Sequence, residues 1–196
     1  MSARWQGERV RQPLPDSEQV VLVDDAGRPV GVADKASVHR RSTPRHLAFS
    51  CYGFDAAGRV LVTRRSGAKR AFPLVWTGTC CGHPAPGESL TDAVHRRLDH
   101  ELGLRALDLR LMLPDFAYRA SDDGPDGGIE EHEFCPVFVC TLDGDPRPAP
   151  DEVAAWEWWS WDRLVAEAKA GTLSPWARLQ VPQLAELGDP RIRGTG

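Results

Sequence analysis

Short runs of alternating or wholly apolar residues dominate the first third of the chain. Gln19–Val23 and Pro29–Ala33 flank the turn-forming stretch Asp24-Asp25-Ala26-Gly27-Arg28 and together predict a hairpin. His46–Phe54 and Val60–Thr63 flank Asp55-Ala56-Ala57-Gly58 and predict a second. Residues 64–87 are rich in Gly and Pro and show no period, which predicts a long loop carrying short strand pieces; such loops in compact domains are usually functional. The period changes at Ser89. Ser89 and Asp92 have the spacing of a capping box, Leu90, Ala93, Val94, Leu98 and Leu102 recur at helical spacing, and Gly103 is the stop. Arg97 and Glu101 are then neighbours on one helix face. Phe134–Leu142 predicts a buried strand, with Pro136 marking an edge or bulge. Residues 143–151 predict a surface loop, and Ala155–Trp161 a strand with Trp156 and Trp158 on one face and Trp159 and Trp161 on the other. Asp162–Leu187 predicts two helical pieces broken near Gly171–Pro175, with Pro182 a further point of interruption. Strands come first, a helix sits between them, and helices close the chain, which makes an α+β sandwich rather than a regular βαβ alternation.

At 196 residues the chain suits one domain, expected over residues 18–188 between a flexible segment 1–17 and a disordered tail 189–196. The net charge of -4 argues against nucleic acid as a partner. Against that average, Arg40, Arg41, Arg45, Arg64, Arg65, Lys69 and Arg70 form two basic clusters that suit a small anion better than a polymer. There is no run of about 18 apolar residues and no secretory signal pattern at the start, so neither a membrane partner nor export is expected and the setting is cytoplasmic. Five cysteines without a framework spacing should be thiols there, with Cys51, Cys135 and Cys140 on strands as core residues. No exposed heptad pattern occurs, and a monomer is expected.

The histidines and acids offer candidate chemistry. His39 and His46 are seven apart, His83 lies in the tight turn Cys81-Gly82-His83-Pro84, and Glu131 and Glu133 share one face if their segment is extended, with His132 pointing away. Three imidazoles and two carboxylates would suit a divalent transition ion such as Zn²⁺ or Mn²⁺ in a five- or six-coordinate site. Surface acids and hydrogen-bonded histidines are the alternative. A second signal overlaps the helix: Gly82, Glu88, Arg96, Glu101, Gly103 and Leu104 follow the spacing of the Nudix box, G-x5-E-x7-R-E-U-x-E-E-x-G-U with U apolar. Arg97 and His100 replace two of its glutamates. One carboxylate can still help hold one Mg²⁺ on a diphosphate but cannot build a multi-metal hydrolytic centre.

At this point the chain resembles the type I isopentenyl-diphosphate isomerases, which use a modified Nudix fold. The resemblance rests on RHLAFS (45–50), VTRRSGAKRAFP (62–73), VWTGTCCGHPAPGES (75–89), HELG (100–103), LPDFAYRA (113–120), EEHEFCPVF (130–138) and DEVAAWEWW (151–159), in the family's order. It implies a Nudix-like α/β/α sandwich with a mixed sheet, and an isomerase interconverting isopentenyl and dimethylallyl diphosphate by protonation and deprotonation. It implies His39, His46, His83, Glu131 and Glu133 as ligands of one Mn²⁺ or Zn²⁺, and Glu101 as holding Mg²⁺ with the diphosphate. Cys81 and Glu133 would transfer the protons, with Tyr118 in support. Lys35, Arg65, Lys69 and Arg97 would bind the diphosphate, and Trp158 would face the hydrocarbon. Cys80, beside Cys81, would pack, because neighbours on an extended segment face opposite ways.

Phe72 stands where relatives often have Trp, Thr77-Gly78-Thr79 stands where an Asn-Ser pair is common, and Asp122–Gly128 is an insertion. Three rival functions remain: an enzyme diverting the same tertiary cation to another prenyl product, a Nudix pyrophosphohydrolase, and a non-catalytic metal or diphosphate binder. Arg97 and His100 argue against the hydrolase, and a binder has no need of Cys81, Glu133 and Tyr118 together.

Overall fold

The computed structural model describes residues 19–38, 42–122 and 128–189. The expectations for residues 1–17 and for the tail beyond Asp189 lie outside them. The chain opens with the hairpin β1 (Gln19–Val23) and β2 (Pro29–Asp34) and a single helical turn, α1 (Lys35–Val38), that the hydrophobic pattern does not signal. Next come β3 (His46–Leu47), β4 (Phe49–Phe54), β5 (Val60–Arg65), β6 (Trp76–Thr77) and β7 (Cys80–Gly82). The helix α2 (Leu90–Leu102) leads into β8 (Arg105–Leu113), β9 (Ala117–Asp122), β10 (Ile129–Phe134) and β11 (Val137–Asp143). β12 (Val153–Trp159) and the helices α3 (Trp161–Ala170) and α4 (Pro175–Glu186) complete the fold.

The strands form two sheets, ordered β2-β1-β3-β10-β9 and β12-β5-β4-β11-β8, with β6 and β7 added beside β5 and β4. Both are mixed: β3 runs parallel to β10 and β4 parallel to β11. The larger sheet is covered on both faces, so its central strands read as nearly continuous apolar runs. Tyr52, Val60, Val62, Val137 and Val139 pack with Leu164, Ala177, Val181 and Leu184 of α3 and α4. Their strand neighbours Phe49, Cys51, Leu61, Phe138 and Cys140 pack with Ala93, Val94, Leu98 and Leu102 of α2. Alternation along each strand therefore builds the α/β/α layers that the resemblance implies.

α2 is capped as its sequence predicts. Ser89 Oγ accepts the Asp92 N–H at 3.1 Å, and Gly103 closes the helix at φ 63°, where an L side chain is strained. α4 differs from expectation: it runs unbroken through Pro182, with Pro175 in its first turn and Ser174 as cap. Trp161 belongs to α3 rather than β12, because Ser160 caps that helix by accepting the Arg163 N–H at 3.2 Å.

Two further departures from the sequence reading shape the site. The runs 46–54 and 134–142 are each split, at Ala48 and at Cys135-Pro136, where both chains cross from the small sheet to the large one side by side. Ala48 N–H donates to the Phe134 carbonyl (2.9 Å) and Ser50 N–H to the Pro136 carbonyl (3.1 Å) across this seam. Residues 143–151 are a strap rather than a free loop: Arg147 N–H donates to the Leu102 carbonyl (2.7 Å) and Ala149 N–H to the Glu101 carbonyl (2.8 Å). These bonds satisfy carbonyls of the last turn of α2 that otherwise lack partners.

Candidate active site

The seam places two groups of chemically active side chains side by side. On the small sheet, Glu131 and Glu133 alternate with Glu130 and His132 along β10, so the pair shares one face. Glu133 lies opposite His46 of the parallel β3. His83 reaches the same point from the turn after β7. Ligand atoms of His46, His83, Glu131 and Glu133 all lie within 4.8 Å of one another, and Glu133 Oε1 is 3.0 Å from His83 Nε2 and 3.6 Å from His46 Nε2. The donor set fits a divalent transition ion. His46 Nδ1 sits 3.0 Å from the Pro44 carbonyl, a contact that puts the ring proton on Nδ1 and leaves the Nε2 lone pair facing the cluster. Burial lowers the His83 pKa to about 3 despite the neighbouring Glu133 carboxylate, so the ring is neutral, as a ligand must be. Burial works against the Glu133 carboxylate too, but the His46 and His83 rings beside it outweigh that and hold the carboxyl well below its usual range.

The second group lines a pocket bounded by Arg65, Lys69, Cys80, Cys81, Arg97, Glu101 and Glu152. Arg97 and Glu101 meet across one helical turn, with Arg97 Nε donating to Glu101 Oε1 at 2.8 Å. The same guanidinium donates through Nη2 to Glu152 at 2.9 Å, and Glu152 also ion-pairs with Lys69. Arg65 bends back on its own loop, donating to the carbonyls of Phe72 and Ala71 at 3.0 Å each. That loop is pinned from β9, where Asp122 accepts the Phe72 N–H at 2.7 Å and so supports a non-glycine φ of 49°. Glu101 contributes the hard oxygen that suits Mg²⁺, an ion that commonly takes one or two carboxylates and completes its shell with phosphate oxygens and water.

Cys81 sits between the groups. Its thiol lies 3.7 Å from Arg65 Nη1, and burial pushes it up to about 11 while Arg65 pulls the other way. It is a protonated thiol at neutral pH, a group with a proton to give. Cys80 turns to the opposite face of β7, into the layer under α2, with its sulfur 3.7 Å from Glu101 Oε1. Tyr118 lies opposite Glu133 on β9 and is buried, and the Glu133 charge adds to burial in raising its pKa. Its ring packs against Trp176 at 5.8 Å between centroids, and the Arg65 guanidinium lies 5.4 Å over the Trp176 ring.

The structure thus brings together Cys81, Glu133 and Tyr118, four of the five metal-ligand candidates, and Arg65, Lys69, Arg97 and Glu101. His39 lies outside the described residues. Lys35 opens α1, close enough to His83 for its charge to lower that ring's pKa. Trp158 is corrected: it packs in the α2 layer with Arg59 over its ring at 5.7 Å, on the far side of the sheet from Tyr118. Trp176 is the tryptophan that stands against the site residues Tyr118 and Arg65. It stands in a Ser-Pro-Trp context that marks a helix start and carries no signal of a site. Glu152 was the other residue missed, because nothing in the run after Pro150 shows that the strap carries it back to Arg97. His132 points away from the cluster, its Nδ1 3.3 Å from the Thr43 carbonyl. Glu88 is bound by Arg96 (2.7 Å) and by the Ala85 N–H (2.8 Å) outside the pocket.

With this geometry, the chain is a Nudix-domain protein: the NUDIX domain model matches residues 44–183. Solved structures agree on the fold. DR0079 from Deinococcus radiodurans superposes with a TM-score of 0.65 at 23% identity, covering 85% of this chain and 99% of that one. The MutT protein of Methanosarcina mazei gives 0.60 at 17% identity, covering 76% and 98%. Closer in sequence are two proteins named isopentenyl-diphosphate Delta-isomerase. That of Mycolicibacterium vanbaalenii is 56% identical over 173 residues, 88% of this chain and 94% of the relative. That of Saccharopolyspora erythraea is 52% identical over 173 residues, 87% and 88% respectively. The chain belongs to the isopentenyl-diphosphate Delta-isomerase family.

Proposed function

We propose that this protein interconverts isopentenyl and dimethylallyl diphosphate. The observation that carries the reading is the juxtaposition of a half-buried thiol, Cys81, and a histidine-held carboxylate, Glu133, at the edge of a cationic pocket. Moving the double bond of an unactivated alkene requires adding a proton to the terminal carbon and removing one from C2, through a tertiary cation. Two proton-transfer groups of different chemistry, held apart in a dry site, suit that sequence. Arg65, Lys69 and Arg97, with Lys35 nearby, bind and orient the diphosphate and so fix where the five-carbon tail lies. Cys81 and Glu133 exchange protons with the tail; one gives its proton to the alkene while the other accepts the proton from C2. Tyr118 supports the Glu133 side, and Trp176 offers a π face to the cation and excludes water. When bound, a divalent transition ion at His46, His83, Glu131 and Glu133 (with His39 a further ligand) fixes the carboxylate and tunes its acidity, and Mg²⁺ at Glu101 neutralises diphosphate charge.

Mn²⁺ or Zn²⁺ as the transition ion, a cytoplasmic setting and a monomeric state belong to the same proposal. Among the described residues, no helix is long and apolar enough to cross a membrane. The test is product analysis with isopentenyl diphosphate, Mg²⁺ and Mn²⁺ or Zn²⁺. Dimethylallyl diphosphate is expected, with turnover lost in Cys81→Ala and in Glu133→Gln. Release of phosphate would mean a hydrolase, and a new carbon skeleton would mean a diverted cation.

A further inference from the structure

We propose that Glu152 couples diphosphate binding to the divalent cation: it is an internal anion that holds Lys69 and Arg97 within the pocket and opposes any diphosphate arriving without its metal. The inference rests on the reading of the pocket as a diphosphate site. The cations meant for the ligand already have a carboxylate between them. Glu152 ion-pairs with Lys69, accepts from Arg97 at 2.9 Å, and has His100 Nε2 at 3.8 Å. Its side chain is only 12% exposed, so water does little to screen it. Its backbone is anchored independently of these contacts. Ser66 N–H donates to the Glu152 carbonyl and Glu152 N–H to the Ala149 carbonyl, each at 3.0 Å, while Ala149 is itself bonded to the Glu101 carbonyl. Ser66 in turn accepts the Lys69 N–H at 3.2 Å, so the strap, the end of α2 and the Lys69 turn form one frame around the carboxylate.

Charge then decides what the pocket accepts. Arg65, Lys69 and Arg97 face Glu101 and Glu152, leaving one net positive charge among these five. A trivalent diphosphate entering alone would leave the site strongly negative, with its oxygens competing against Glu152 for Lys69. The same diphosphate with Mg²⁺ leaves the site neutral. Without the Glu152 charge the metal-free anion meets two net positive charges and no competitor. Glu152 is thus a positioning and specificity residue rather than a catalytic one.

The experiment is calorimetric titration of the purified full chain with inorganic pyrophosphate, with and without Mg²⁺, beside Glu152→Gln and the charge-conserving Glu152→Asp. Circular dichroism confirms that each variant is folded. Glu152→Gln should bind metal-free pyrophosphate roughly tenfold more tightly than the native protein, as expected for removing one nearby like charge. The strengthening produced by Mg²⁺ should shrink by a similar factor, and Glu152→Asp should keep the native metal dependence. A gain in affinity cannot come from mere structural damage. Unchanged or weaker metal-free binding by folded Glu152→Gln, or an unchanged effect of Mg²⁺, would overturn the inference alone. Absence of pyrophosphate binding by the native protein under both conditions would overturn the diphosphate reading and this inference with it.

Discussion

The ion pairs of Glu152 also make a measurable claim about stability and pH. Burial raises the pKa of this carboxyl, but Arg97 and Lys69 beside it outweigh that and bring it from 4.5 to about 2. A carboxylate depressed in the folded state contributes stability that is present above its unfolded pKa and is lost as pH falls toward its folded one. The drop corresponds to about 3 kcal/mol, fully present above pH ~5.5 and reduced to about 1.4 kcal/mol at pH ~3. Glu152→Gln removes the titrating group. The native protein should therefore exceed the variant by about 3 kcal/mol at pH ~7, and the gap should close progressively below pH ~5. Urea unfolding followed by tryptophan fluorescence at stepped pH measures both curves, the chain carrying seven tryptophans as reporters. Parallel curves from pH ~7 to ~3 would refute the argument, because they would mean that Glu152 titrates alike in the folded and unfolded chain.

Other expectations follow from the same geometry. Trp176→Leu should lower kcat roughly thirtyfold, the equivalent of about 2 kcal/mol of cation stabilisation, whereas Trp158→Leu should leave kcat nearly unchanged; steady-state kinetics on both separates the two aromatic positions. His83→Ala should lose the transition metal while keeping the fold, as read by elemental analysis alongside circular dichroism, and a chelator should bring the native protein to the same metal content. Gln180 is fully buried, accepting from Tyr52 at 2.9 Å and donating to Ser50 at 3.0 Å, so Gln180→Leu should cost about 1–3 kcal/mol in denaturant unfolding through stranded polar groups.

Much of this architecture is legible in the amino-acid order. The two turn signals place the first hairpins, and Ser89 and Gly103 bracket α2 because caps are local chemistry. The spacing of Arg97 and Glu101 places both in the pocket for the same reason. What stays hidden depends on distant partners. β8 and β9 are sheet-edge strands, with Leu107 and Leu111 about half exposed on β8, and Asp108 breaks the pleat of β8 at φ 53°. Local alternation is weak in such strands. The splits at Ala48 and Cys135-Pro136 arise because two parallel strands cross between sheets together, which neither segment shows alone. Trp158 and Trp176 illustrate the same limit: a strand of tryptophans shows that alternate rings face opposite ways, but only the helices packed against the sheet decide which face meets the site. Glu152 falls between the expected loop 143–151 and the expected strand Ala155–Trp161, and its meaning comes from the strap bonded to the carbonyls of Glu101 and Leu102.

The central claim is a proton exchange between solvent, two protein groups and a five-carbon chain. It is tested most directly by incubating the metal-loaded protein with isopentenyl diphosphate in D₂O and locating deuterium by NMR. Dimethylallyl diphosphate with deuterium in its new methyl group, and no such label with Cys81→Ala or Glu133→Gln, is the result this account predicts. Unlabelled starting material after prolonged incubation with folded, metal-loaded native protein would contradict it.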